Sequence, residues 1–260
     1  MIRIDFDALA GHVKGLLHED HSELVAHKIR PALLVIPGGA YRFVSPREGE
    51  DFGMHFYADG YQIFVLDVYS CCEQAKDFAP LHEAAAAVSA IRRHAEEWHI
   101  DPEKIAVSGF SAGGHLAASL GCHWNNSALG LPEDCRPNAM ILGYPVISLY
   151  EYSHADSTKN VTGGSEETRR VLSLERHVGP QVPPTFIWST QEDASVPIEN
   201  TLLFVNALQA QGVSFESHVF AHGRHGESIC TQEVERLHPA NQLWVLLCKN
   251  WLNELFHYIP

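Results

Sequence analysis

Six short apolar runs, residues 32–36, 63–68, 105–107, 139–142, 185–188 and 215–220, recur along the chain with helical patterns between them. Several are continuous rather than alternating. A strand can be apolar on both faces only if both faces are covered, and that is the condition of a parallel sheet. Between the second and third runs, Leu81, Ala84, Ala85, Val88, Ile91, Ala95 and Trp98 recur at the three-and-four spacing of an amphipathic helix. Two further helices are expected, one on Ile198, Leu202, Val205 and Leu208, closed by Gly212, and one on Leu243, Leu247, Trp251 and Leu255. Strand and helix in alternation predict an α/β fold, a mostly parallel central sheet with helices on both faces.

Composition narrows the class. At 260 residues and 45% hydrophobic, the chain can bury a core as one domain spanning 1–260. A formal charge of −14 gives it nothing with which to displace counterions from a phosphate backbone, so nucleic acid is not an expected partner. Protonating all 17 histidines would carry that charge to +3, so mild acid should alter the protein's charge strongly. No window approaches the run of about 18 apolar residues that a membrane span needs. The first 15 residues alternate charged and apolar side chains and lack the core of a signal peptide, so a cytoplasmic location is expected. The six cysteines form no CxxC, and Cys71 and Cys72 are adjacent, which fits reduced, packed thiols better than a disulfide framework.

One stretch departs from the alternation. Residues 148–184 are polar, with Gly163, Gly164, Gly179 and the pair Pro183, Pro184. They lie where a strand gives way to a loop at its carboxyl end, the position from which open α/β sheets build a binding crevice, so a cap or insertion shaping a site is expected.

Gly109-Phe110-Ser111-Ala112-Gly113 follows the strand expected at 104–108 and precedes an apolar helical segment at 114–120. A strand, a turn and a helix around GxSxG mark a nucleophile elbow, in which glycines clear space for a strained serine. Ala112 then opens the helix with a free N–H facing any oxyanion formed at Ser111. A second cluster, Pro37-Gly38-Gly39-Ala40-Tyr41, follows the first strong strand and can supply further donors from Gly39 and Ala40. A serine nucleophile needs a base, and the base needs a carboxylate. Asp193 is favoured over Glu192 as the shorter acid, set just before Val196-Pro197. His225 is favoured over His222 because the following Gly226 suits a loop tip reaching back over the serine.

The PGGAY loop, DPEKIAVSGFSAGGHLAASLG, PPTFIWSTQEDASVP and HVFAHGRHG together resemble the α/β-hydrolase esterases of the acetyl xylan esterase-like and carbohydrate esterase-like kind, related to the hormone-sensitive-lipase group. The resemblance runs from about residue 31 to 255. It implies Ser111 as nucleophile, Asp193 as acid, His225 as base, and donors from the 38–40 loop and Ala112. Pro37 stands where the lipase group has the histidine of HGGG, and Ala40 replaces that motif's third glycine, so which amide completes the oxyanion hole stays open. Small acyl esters of sugars are the substrate class the resemblance implies.

The expected function is a serine carboxylesterase that removes small acyl groups, acetyl foremost, from sugar or oligosaccharide esters such as acetylated xylan fragments, with no cofactor and no metal. Activity should fall in mild acid, because the base must be unprotonated. The alternatives are an amide-cleaving hydrolase of arylformamidase or peptidase type and a non-catalytic binding protein on the same fold. An acidic surface and an open sheet edge are compatible with a homodimer. His18-Glu19-Asp20-His21 carries metal-capable side chains but has no second cluster beside it, and reads as solvated surface. Residues 45–50, Ser-Pro-Arg-Glu-Gly-Glu, could line the acyl side of the site, although a solvated helix start is the favoured reading.

Overall fold

The computed structural model describes residues 1–19, 29–234 and 237–260; Asp20 and His21 of the His-Glu-Asp-His stretch lie outside them. Eight strands form one sheet in the order β1-β2-β4-β3-β5-β6-β7-β8. These are β1 (Ile2–Ala8), β2 (Gly11–Leu17), β3 (Arg30–Ile36), β4 (Gln62–Val68), β5 (Ile100–Phe110), β6 (Ala139–Gly143), β7 (Thr185–Thr190) and β8 (Phe215–Phe220). From β4 to β8 neighbours pair in parallel, whereas β1 with β2 and β2 with β4 are antiparallel. This mostly parallel sheet with helices on both faces is the α/β-hydrolase fold.

The continuous apolar runs are explained by the two faces they serve. Leu34, Ile36, Val107, Leu142 and Ile187 enter a core with α2 (Ala79–Arg93), α3 (Ala112–His123) and α6 (Glu199–Ala210). Leu33, Val35, Phe110, Ile141 and Trp188 enter a second core with α1 (Glu50–Tyr57) and α7 (Pro239–Leu255). Every residue of α3 is buried, which only a helix of small side chains can tolerate: a Cβ on Gly121 would stand 2.1 Å from Met140 Sδ.

Several expectations need revision. The charged and apolar alternation of the first 15 residues is the period-two pattern of an antiparallel hairpin, β1 and β2, which extends the sheet past β4. The inward faces of the last two helices match the expected ones only in part: Leu208 is buried and Val205, Leu247, Trp251 and Leu255 pack against the two cores, but the first leucine of each pattern does not. Leu202 and Leu243 are 45% and 55% exposed, while Asn200, Thr201, Phe204 and Leu208 on α6 face inward. Buried Asn200 displaces leucine there because its Oδ1 accepts from the N–H groups of Ile147 and Ser148 and its Nδ2 donates to the Tyr152 and Pro197 carbonyls. Residues 148–184 hold two short helices, α4 (Ala155–Thr162) and α5 (Glu166–Val171), and anchor themselves through buried Val161, Leu172, Leu174 and Val182. All six cysteines are free thiols, four of them buried.

Candidate active site

Ser111 sits where β5 turns into α3, with φ 54° and ψ −120°. Glycines at 109 and 113 are demanded by backbone, not by side chains: a Cβ at Gly109 would lie 2.1 Å from the Gly113 carbonyl oxygen, and one at Gly113 would lie 2.2 Å from that of Ile36. The Ser111 amide donates to the Gly143 carbonyl at 3.0 Å, and its own carbonyl accepts from Val146 and His115. Those bonds hold a serine in a conformation that few L-residues adopt.

Asp193, in the connection from β7 to α6, and His225, in the connection from β8 to α7, meet it. His225 Nε2 is 2.7 Å from Ser111 Oγ and Nδ1 is 2.7 Å from Asp193 Oδ2. The other oxygen of Asp193 accepts from the Ser195 and Val196 amides, both at 2.9 Å, so its side chain is only 1% exposed yet fully hydrogen-bonded. With Asp193 accepting at Nδ1–H, the imidazole presents a free lone pair at Nε2 to the serine hydroxyl, the arrangement that lets it take that proton. Glu192 and His222 stand apart from this line. They pair with each other at 2.9 Å on the surface, with His222's side chain 81% exposed. The histidine loop is fixed by Glu227, buried at 2% exposure, whose oxygens accept from the Arg224 amide and Asn241 Nδ2.

Across the nucleophile lies the 37–43 loop. Among the described residues, the N–H groups of Gly39 and Ala40 have no acceptor, and Ala112, as the first residue of α3, has none either. The Gly38 amide is spent, donating to Glu48 Oε2 at 2.7 Å. Gly39 has φ +126°, with a Cβ there falling 2.0 Å from the Phe43 carbonyl oxygen. Ala40 has φ +59°, and its carbonyl accepts from Asn160 Nδ2 of α4 at 2.9 Å. Gly39 and Ala40 line the same cavity as Ser111 and His225, and Ala112 follows Ser111 directly at the start of α3, so three N–H groups without an acceptor among the described residues lie in the segments next to the serine.

A polar cavity of about 180 Å³ opens over these groups, walled by Phe43, Arg42, Arg47, His154, Asp156 and Ser195. Residues 148–184 therefore contribute His154 and Asp156 to it. Burial, then the neighbouring His225, pulls the His154 imidazole below its ordinary range. Sequence reasoning missed His154, Asn160, Glu48 and Tyr144. The reading of residues 45–50 as solvated is corrected for Ser45 and Glu48, which are 4% and 2% exposed and line the cavity. Burial of Glu48 is possible because both its oxygens find donors. Among the described residues no group of three or more metal-capable side chains occurs. No helix there is long and apolar enough to cross a membrane.

The BD-FAE family profile matches residues 23–208. The chain belongs to the BD-FAE family. The BD-FAE match takes in Ser111 and Asp193 and ends before His225. Endo-1,4-beta-xylanase B of Butyrivibrio fibrisolvens is 37% identical over 237 residues, 88% of this chain and 37% of its own length. Acetylxylan esterase of Xylanibacter ruminicola is 29% identical over 203 residues, 75% of this chain and 40% of its own. The chain thus spans well under half the length of these two relatives. Among solved structures, the acetyl ester-xyloside bifunctional hydrolase of Caldicellulosiruptor lactoaceticus superposes with a TM-score of 0.84 at 36% identity, covering 97% of this chain and 90% of that one.

Proposed function

We propose that this BD-FAE chain is a serine carboxylesterase that removes small acyl groups, acetyl foremost, from hydroxyls of sugars or oligosaccharides such as xylan fragments. The observation that carries the reading is the unbroken line from Asp193 through His225 to Ser111, two contacts of 2.7 Å, in a cavity that Gly39 and Ala40 also line. Neutral His225 takes the Ser111 proton as Oγ attacks the ester carbonyl. The amides of Gly39, Ala40 and Ala112 receive the oxyanion, and His225 returns its proton to the departing alcohol. Water then repeats the sequence on the acyl-enzyme. Support for a small, polar substrate comes from the cavity over Ser111, about 180 Å³ and lined by Arg42, Arg47, His154 and Asp156 beside Phe43. Support for a sugar as the alcohol comes from the named activities of the relatives.

The test is covalent labelling by a fluorophosphonate, with and without Ser111→Ala. Labelling should occur in the wild type and vanish in the variant, and hydrolysis of 4-nitrophenyl acetate should drop at least about 10⁴-fold. An unlabelled wild type overturns the reading. Across acetylated xylo-oligosaccharides, nitrophenyl esters of rising chain length and N-formylkynurenine, acetyl esters should be cleaved fastest. Faster turnover of long acyl chains or of the formamide would contradict the substrate class.

A further inference from the structure

We propose that Glu48 and Tyr144 form a positioning pair that ties the oxyanion loop to the histidine loop; the inference rests on the functional reading of Ser111, His225 and the loop amides. Glu48 is 2% exposed although Pro46 and Arg47 before it face outward. A carboxylate so buried is tolerated only when donors satisfy it. Oε2 accepts from the Gly38 N–H at 2.7 Å, and Oε1 accepts from the Tyr144 hydroxyl at 2.8 Å. The Tyr144 oxygen in turn accepts from the Ser228 N–H at 3.0 Å, and the Ser228 hydroxyl donates to the Arg47 carbonyl at 2.8 Å. One chain of hydrogen bonds therefore runs from the residue before Gly39 to the third residue after His225.

The chain passes close to both Ser111 and His225. A Cβ at Gly38 would stand 2.8 Å from Glu48 Oε2 and 3.0 Å from Ser111 Cβ, so the loop backbone is wedged between the carboxylate and the nucleophile. Glu48 thereby sets how closely the following amides approach Ser111. At the other end, Tyr144 adopts φ +35°, uncommon for a residue with a side chain, and stands edge-on to the His225 ring with centroids 4.9 Å apart. Burial, reinforced by Glu48, pushes its phenol far above the ordinary range, so the hydroxyl keeps the proton it donates. Donors and base aimed at one transition state must hold their spacing, since an error of about 1 Å costs about 10²-fold in rate.

The experiment compares full-length wild type with Tyr144→Phe, Glu48→Ala, Glu48→Gln and the double variant Glu48→Ala/Tyr144→Phe. It reads thermal midpoint, kcat and KM on 4-nitrophenyl acetate, and amide exchange in residues 37–45 and 224–230. Tyr144→Phe keeps the ring and its volume; its kcat should fall about 10- to 100-fold with KM within about twofold, and exchange should quicken in both segments. The double variant should be no slower than the worse single one, because both substitutions cut the same link. Glu48→Gln should recover part of the loss seen in Glu48→Ala, since its carbonyl can still accept from Gly38 while its amide no longer offers the Tyr144 hydroxyl an acceptor. A folded Tyr144→Phe with wild-type kcat and exchange overturns the tie, as do losses that multiply in the double variant. If Glu48→Ala does not fold, Tyr144→Phe and Glu48→Gln decide. If the wild type neither cleaves esters nor takes the phosphonate label, the functional reading fails, while the exchange comparison still judges the tie.

Discussion

Asp193 spends one oxygen on two backbone amides and the other on His225, so replacing it by asparagine should leave the loop standing while spoiling the imidazole tautomer. Asp193→Asn should lower kcat about 10⁴-fold with an unchanged thermal midpoint; a loss under tenfold would remove Asp193 from the proposed relay. Serine, carboxylate and imidazole were legible because each needs the other two and the GxSxG turn marks where to start, and the fold joins Asp193, His225 and Ser111 by two contacts of 2.7 Å. Glu48 was not legible. Its sequence neighbours are polar, its hydroxyl partner lies 96 residues away, and nothing in a Pro-Arg-Glu-Gly run distinguishes a buried carboxylate from a solvated one.

The elbow and the insertion offer separate tests of how segments hold the site. A methyl group at position 113 would collide with the Ile36 and Pro37 carbonyl oxygens at 2.2 and 2.4 Å, both backbone atoms that cannot swing aside. Gly113→Ala should therefore lose about 3 kcal/mol or more in chemical denaturation, and a midpoint within about 0.5 kcal/mol of wild type would contradict that packing. In α4, Asn160→Ala removes the bond to the Ala40 carbonyl without exposing a core. Its kcat should fall about fivefold, the worth of one hydrogen bond of about 1 kcal/mol, with KM little changed. Strands β3 to β7 could be read from sequence since burial on both faces leaves only apolar choices. The phase of α6 could not, because Asn200 was selected for bonds to residues 147, 148 and 152, whose position a helical period does not encode. The N-terminal hairpin was overlooked for a related reason: a half-exposed strand alternates, and alternation over so few residues is easily taken for a loop.

For the molecule as a unit, three histidines are held well below their ordinary range. His18, His115 and His123 are pushed down to about 4 by burial, whereas in the unfolded chain they would take a proton near their ordinary 6.5. Between those values the unfolded state binds more protons than the folded one, so stability falls as pH falls from 6.5 towards 4. The slope is at most about 1.4 kcal/mol per pH unit for a fully buried imidazole such as His115, which is 0% exposed. The urea midpoint should be lower at pH 5 than at pH 7; an unchanged or higher midpoint would refute the linkage. Of the 17 charges in the formal swing from −14 to +3, these three are added only as the pH nears 4. The order of parts along the chain has a consequence for biosynthesis. His225 follows Ser111 by 114 residues, roughly 6–23 s of translation at ordinary rates. Under the proposed mechanism, a nascent chain stopped between residues 111 and 225 carries the serine without the imidazole that would take its proton.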